Sequence, residues 1–492
     1  YTRIASLFQP EQLVKYGELC LRENEIAYAD PGFFRLFDFE LLKGDRASCL
    51  SMPGQVVITE RIARKYFRDE EPMGKILVFN SNIGKVSCEV TGVMKEMPSN
   101  SHIHYNFLLS YKSLPKWVQE YWYKHEIYTY VLLDSRERKE EIERAFPGMA
   151  EKYKTEEALK NKTWGVRLVP LEDIHLTPQL GYEAEQKGNR SAIIALVFAA
   201  VAILVIAWIN YINLTVARSM ERAKEVGVRR VVGAFPQQLV GQFLFEALVM
   251  NLIAFVIAVG LVEMLLPAFN LLVGRTVSFS VWLTGYWGLS VFLLFVCGVY
   301  VSGYYPACAL LRKKPIMLLK GKFQNGRSGE RTRKLLVVVQ YTASMILLCG
   351  TLIVFAQLNY MRRQSLGVRT DRILVVKFPG PTEGMKIKME AMRKAIRKLP
   401  LVSKVTCSGS VPGEEVAMFL SNRRTHDALK QNRLYEMLSC DPDYMDAYGL
   451  ELVAGRGFSE DYGDDVNKLV INETAARTLG YTDYESVIGE EI

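Results

Sequence analysis

Four stretches of this chain carry no charged residue over lengths that decide its fold class. They are Ser191–Ala217, Ala247–Val262, Thr276–Leu311 and Leu335–Met361, of 27, 16, 36 and 27 residues. A bilayer core of ~30 Å is crossed by about 20 helical residues. The first, third and fourth stretches meet that length outright. The second meets it by extending back past Glu246 to Val240, which puts that carboxylate near the interface or facing the bundle interior. Buried helices of a large soluble protein rarely run 27 residues without a charge. The chain is therefore expected to span a membrane four times.

Composition tells how much lies outside the membrane. Of 492 residues 49% are hydrophobic, yet the mean hydropathy is only +0.05. Long polar blocks must offset the apolar ones, so a few spans are joined to large water-exposed domains. The eight cysteines (Cys20, Cys49, Cys88, Cys297, Cys308, Cys349, Cys407 and Cys440) form no CxxC pair and no zinc-ligand spacing. No disulfide framework is read from them.

Charge gives the direction of the spans. Arg218–Leu239 holds five basic residues against Glu221 and Glu225, a net of +3. Arg312–Lys334 holds nine against Glu330, a net of +8. Together they carry +11, the whole chain carries +8, and the remainder sums to −3. Basic clusters beside spans mark the cytoplasmic side, and this context leaves no need for a nucleic-acid patch. Residues 1 to about 190 and about 360 to 492 are thus expected outside the cytoplasm. The link from Pro267 to Ser280 is expected outside as well.

The outside segments resemble each other. Asp30-Pro-Gly-Phe and Asp441-Pro-Asp-Tyr each lead to an x-E-L-x-x-G run ending at Gly44 and Gly455, at a constant offset of 411. Val57-Ile-Thr-Glu matches Val470-Ile-Asn-Glu at offset 413, and Met73-Gly matches Ile488-Gly at 415. Three matches in order indicate two halves, each an outside domain plus spans. The period is far too long for a solenoid. The repeat predicts a parent of eight spans, arranged 1+3 and 1+3, of which this sequence is the middle. The fold class expected is an α-helical transmembrane bundle with α+β extracytoplasmic domains. The expected domains are 1–190 outside, a three-span unit over 191–311 with a cytoplasmic loop at 218–239, a basic linker over 312–334, a fourth span over 335–361, and a second outside domain over 362–492.

Outside the membrane, Gln55–Thr59, Lys75–Phe79 and Val86–Val93 read as strands around a turn at Asn80–Gly84. Glu60–Phe67, Glu137–Ala145, Glu151–Lys160 and Met385–Leu399 read as helices. His102-x-His104 would share a strand face, but no carboxylate or cysteine stands at ligand spacing, so these read as structural or surface histidines. No phosphate loop is present; Gly326-Arg-Ser-Gly-Glu-Arg331 lacks the Lys-Ser/Thr ending and reads as a flexible basic linker. No catalytic motif stands out, and no cofactor or metal is called for. The polar residues inside the spans (Asn210, Asn213, Thr215, Glu246, Asn251, Gln340, Thr342 and Ser344) read as packing contacts rather than a pathway.

The most informative segment follows the first span. In Arg218–Ala234, apolar Met220, Ala223, Val226 or Gly227, and Val231 follow helical spacing with charges between them. Gly233 offers a C-terminal cap and Pro236 can open the next helix. Such a helix either lies on the membrane surface or docks a soluble partner.

Arg222-Ala-Lys-Glu-Val-Gly-Val-Arg-Arg-Val-Val-Gly-Ala234, followed by Gln242-Phe-Leu-Phe-Glu246, resembles the signature of FtsX-like permease domains. Tyr305–Lys320 is similar to that family's exit motif. Asp30-Pro-Gly-Phe-Phe, Val57-Ile-Thr-Glu and Pro98-Ser-Asn-Ser-His102 resemble the MacB-like periplasmic core domain. Phe235-Pro236 departs from the small polar cap usual after Gly-Ala. The resemblance implies the permease subunit of a MacB/FtsX-type ABC transporter in the inner membrane, with ATP hydrolysis in a separate cytoplasmic subunit. It implies that Glu221, Arg222, Lys224, Glu225, Gly227, Arg229, Arg230 and Gly233 couple to the ATPase. It further implies a dimeric permease assembly, a periplasmic adaptor or substrate protein, and a lipoprotein, peptide or drug-like substrate. A membrane regulator of a cell-wall hydrolase or sensor kinase is the alternative.

Overall fold

The computed structural model describes residues 1–6, 11–81, 84–98, 100–119, 127–153, 165–177, 188–221, 223–274, 277–279, 285–311, 327–377, 384–414, 416, 419–422, 424, 433–459, 461–462 and 465–492. The chain divides into two units. One combines Tyr1–Gly188 with Ser365–Ile492, and the other is Asn189–Gln364.

The first unit is built on a ten-stranded sheet. Its strands are β1 (Thr2–Ala5), β2 (Glu11–Tyr16), β3 (Leu19–Asn24), β4 (Ile26–Ala29), β5 (Leu41–Gly44), β6 (Gln55–Thr59), β7 (Ile76–Ser81), β8 (Gly84–Met94), β9 (Phe107–Ser110) and β10 (Ile127–Tyr130). The order is β10-β1-β4-β9-β6-β8-β7-β2-β3, with β5 beside β8. Pairs β4–β9 and β6–β8 are parallel and the others antiparallel. Side chains alternate between the two faces of a strand, and here both faces are covered. Val56, Ile58, Ile26, Tyr28, Phe107 and Leu109 enter one core, while Val57, Ala27, Ala29 and Leu108 enter the other. That double burial is why these strands read as apolar runs. Helix α1 (Phe33–Leu36) closes one face with Phe33 and Phe34, and α2 (Glu60–Phe67) closes the other with Ile62, Tyr66 and Phe67.

Two short helices follow, α3 (Lys116–Gln119) and α4 (Arg138–Tyr153). The helix expected over 151–160 continues α4 to Tyr153, and its remainder lies outside the described residues. The Asn80–Gly84 turn is likewise only partly described. His102 Nε2 lies 3.0 Å from the Tyr130 hydroxyl, with its ring against Phe37 and Tyr130. All eight cysteines are free thiols.

Four helices of the second unit are long and apolar enough to cross a membrane, among the described residues: α5 (Arg190–Glu221), α7 (Pro236–Val273), α8 (Gly285–Leu311) and α9 (Arg327–Arg363). Between the first two lies α6 (Ala223–Val231). Helix α8 packs on both α7 and α5, and α9 packs on α5. Two boundaries differ from the sequence reading. Pro267 does not open a link but sits inside α7, which runs on through apolar residues until Gly274 turns left-handed at φ +68°. A proline is tolerated within a membrane helix where neighbours re-satisfy the freed carbonyl. Likewise Arg327–Lys334, read as flexible linker, is the first part of α9, because the span's helix propagates into it. Residues 312–326 lie outside the described ones.

Small residues set the contacts of α8. A Cβ on Gly303 would stand 3.0 Å from Leu244 Cα of α7, and one on Gly298 would stand 3.1 Å from Trp208 Nε1 of α5. Asn251 donates to the Ala247 carbonyl at 2.7 Å and to Ser302 Oγ at 3.1 Å, joining α7 to α8. Asn251 is thus a packing contact, as read from the sequence.

Beyond Ser365 come α10 (Met385–Arg397), the hairpin β11 (Phe419–Asn422) and β12 (Arg433–Glu436), α11 (Tyr444–Tyr448) and α12 (Glu473–Thr478). Local geometry near Asp30 recurs near Asp441. Asp30 N–H donates to the Arg3 carbonyl and its carboxylate accepts the Arg3 N–H, both at 3.1 Å. Asp441 N–H donates to the Cys407 carbonyl at 3.0 Å and its carboxylate accepts the Cys407 N–H at 2.8 Å. A guanidinium caps each carboxylate, from Arg3 of β1 in one case and Arg393 of α10 in the other. The start of α2 recurs at α12. Thr59 accepts the Ile62 N–H and Asn472 accepts the Ala475 N–H. Arg64 pairs with Glu60, and Arg477 with Glu473. Gly44 and Gly455 both hold positive φ, at +101° and +79°.

Candidate functional site

The connection between α5 and α7 is fixed from both ends. Helix α6 finishes in a Schellman turn: Ala234 N–H donates to the Arg229 carbonyl at 2.9 Å, Gly233 N–H to the Arg230 carbonyl at 3.3 Å, and Gly233 takes φ +104°. Phe235, in extended conformation, then leads Pro236 into the first turn of α7. A phenyl ring cannot accept the helix's free N–H groups. Instead the Gln238 side chain turns back to accept the Phe235 N–H at 3.1 Å, which is half of a capping box.

One face of α6 is buried against the ends of the spans. Ala223 and Val226 pack with Leu239 at the start of α7 and Leu310 at the end of α8, with Phe243 and Leu311 alongside. Gly227 is buried between them. At about 100° per residue, positions 223, 226, 227 and 230 fall on one side. Arg230 therefore points towards the spans, where its guanidinium donates to the Leu311 carbonyl at 3.1 Å.

The other face is open. Lys224, Glu225 and Arg229 are exposed, and so are Val228, Val231 and Val232; beyond the turn, Phe235 joins them at 69% exposure. Glu225 and Arg229 form an i,i+4 ion pair at 2.6 Å. Arg229 also donates to Gln242 at 2.7 Å, and Gln242 donates to Glu246 at 3.4 Å. This chain of contacts holds Arg229 to α7 and places Glu246 at the α6 end of that helix. The open face therefore carries exposed apolar side chains together with charges of both signs.

The structure thus separates the residues singled out from sequence. Lys224, Glu225 and Arg229 face outward. Gly227 and Gly233 serve packing and the turn, and Arg230 faces the spans. Arg222 and the Glu221 side chain lie outside the described residues. Val231, placed in the apolar stripe from sequence, is 63% exposed and does not join the buried face of Ala223 and Val226, because the helix ends there and its angular position matches Lys224 rather than Ala223. The sequence reading singled out neither Val228 nor Val232 and noted Phe235 only as a departure in the cap, so this exposed apolar set was missed. Among the described residues no three of His, Cys, Asp and Glu converge on a metal-sized site. A cavity of about 510 Å³ beside α7 and α8 is lined by apolar residues, including Phe255, Val262, Phe269 and Val291. It offers no charged group to grip a polar solute.

Residues 3–148 match the MacB-like periplasmic core domain, and residues 197–315 match the FtsX-like permease C-terminal domain. The chain belongs to the MacB/FtsX-type ABC transporter permease family. The first match covers β1 through most of α4, and the second runs from α5 past the end of α8 and contains the whole α6 site. It is thus a multi-pass membrane permease with an α+β periplasmic core domain. The macrolide export ATP-binding/permease protein MacB of Nitrobacter winogradskyi is 31% identical over 181 residues, which is 36% of this chain and 27% of that protein. The MacB of Rhodopseudomonas palustris is 29% identical over 268 residues, or 51% of this chain and 36% of that one. The chain therefore spans about a third of the length of these curated relatives. Among solved structures, the periplasmic region of MacB from Actinobacillus actinomycetemcomitans matches 30% of this chain and 65% of its own, at 15% identity and a TM-score of 0.22.

Proposed function

We propose that this permease receives the motion of a cytoplasmic ABC ATPase at α6 and passes it through the spans to its periplasmic domains. Those domains then act on a lipoprotein, peptide or drug-like substrate for export or extraction. The observation that carries the reading is the two-sided character of α6. One face is packed into the ends of α7 and α8, and the other presents an apolar centre with a charged rim. A helix that merely rested on a membrane would turn its apolar face to lipid and would not need the buried one. The relatives' printed names join ATP-binding and permease parts in one protein; here the ATPase is proposed as a separate subunit.

The matching geometry at Asp30 and Asp441, and at α2 and α12, supports a tandem plan of two halves. Each half has a periplasmic domain and its own spans, in a 1+3 and 1+3 arrangement of eight in the parent protein. Two pseudo-equivalent permease halves would suit the two ATPase subunits of an ABC dimer.

Affinity capture of the full-length protein from solubilised membranes, assayed for ATP hydrolysis, tests this. A Walker-motif ATPase should co-purify. Glu225→Lys or Val232→Asp should weaken its binding by about tenfold or more, the usual cost of disturbing a hot spot. Membrane insertion should be unchanged. Capture of a periplasmic hydrolase or sensor without an ATPase would overturn the reading.

A further inference from the structure

We propose that Arg230 is a positioning residue that ties α6 to α8, so that displacement of the docking helix moves the third span as well as the two spans it joins. This rests on the coupling role proposed above for α6. Covalent continuity links α6 only to α5, on one side, and α7, on the other. Helix α8 is 81 residues away in sequence at the point of contact and can follow α6 only through side chains.

The contact is built for that purpose. Leu311 is the last described residue of α8, and its carbonyl accepts the Arg230 guanidinium at 3.1 Å. A guanidinium there makes a charge-assisted hydrogen bond, stronger than one between neutral groups. Leu310, 1% exposed, is inserted beside Ala223, Val226 and Leu239, so the bond sits next to a packed apolar plug rather than in open water. Further along, α8 meets α7 at Gly303 and α5 at Gly298, where a single added Cβ meets a neighbour. A helix held so closely passes on a shift instead of absorbing it. Arg229, one residue earlier, points the other way, to Glu225 and Gln242. The adjacent arginines therefore have separable tasks: Arg229 shapes the docking face, and Arg230 carries motion past it.

The test compares Arg230→Gln, Arg230→Lys and Arg229→Glu in the full-length permease. Hydrogen exchange on the permease alone is read at the end of α8, ATPase binding by affinity, and coupling by stimulation of ATP hydrolysis in the assembled complex. Arg230→Gln should raise exchange in residues 300–311 by about tenfold. It should keep ATPase affinity within about twofold and lower stimulation by about tenfold, within the usual range of coupling energies. Arg230→Lys, which keeps a cation beside the Leu311 carbonyl, should recover much of the stimulation. Arg229→Glu should weaken binding and leave exchange at 300–311 unchanged. Equal loss of binding in Arg230→Gln and Arg229→Glu would make Arg230 a partner contact and overturn the proposal. Unchanged exchange and stimulation in Arg230→Gln would overturn it too. A wild-type protein that captures no ATPase removes the coupling role of α6, while the exchange measurement still decides whether Arg230 holds α8.

Discussion

Cys49 and Cys88 are buried in opposite cores of the periplasmic sheet. Burial disfavours the thiolate and pushes their pKa values up, from 9.0 to about 11 for Cys49 and about 12 for Cys88. The folded state holds these protons more tightly than the unfolded one. Their contribution to stability is therefore whole below pH 9 and is withdrawn as pH rises from there towards about 12. Thermal unfolding followed across that range should fall more steeply for the wild type than for a Cys49→Ala, Cys88→Ala double variant. A thiol reagent added to folded protein at pH 8 should modify exposed Cys20 first and reach the two buried thiols only on unfolding. At this scale the sequence was partly legible. Positions 223, 226, 227 and 230 share a helix face by arithmetic alone, but an arginine on an inward face becomes intelligible only once the Leu311 carbonyl is seen opposite it. His102 was similar: its tyrosine partner is 28 residues away, beyond any local pattern.

At the scale of elements, the close crossing of α7 and α8 rests on Gly303. A side chain there meets the Leu244 Cα, main chain that cannot rotate aside. Gly303→Val should destabilise the bundle by about 1–3 kcal/mol, the usual cost of overpacking, seen as a lowered midpoint of thermal unfolding in detergent. Gly260→Ala, in α7 with open space around it, should leave the midpoint unchanged. The spans themselves could be read directly from runs free of charge. Their ends could not, because a helix started in apolar sequence propagates past a proline or into a basic stretch until something caps it. Pro267 and Arg327–Lys334 both misled for that reason. Strands β6 and β8 and helix α2 were visible in the sequence. The ten-stranded order was not, since parallel pairings such as β4 with β9 join residues some 80 positions apart.

For the whole molecule, the charge balance is less simple than two basic loops against a mildly acidic remainder. Residues 362–404 hold twelve basic side chains against Asp371, Glu383 and Glu390, a net of +9 on the segment expected outside. The orientation then rests on the shortness of the other two basic loops, because long domains translocate largely regardless of charge. Labelling spheroplasts with a membrane-impermeant maleimide, with the other cysteines replaced, checks it. Cys20 should label at once, and a cysteine at Val228 only after permeabilisation; the reverse pattern would invert the topology. A mechanical consequence follows from the turn between α6 and α7. Gly233's left-handed cap, the proline after it and the returning Gln238 side chain leave that corner no slack. On the coupling role proposed for α6, such a corner would act as a crank rather than a spring: a push on α6 would be felt as a change of angle in the span, so the response would follow how far a partner moves, not how hard it presses.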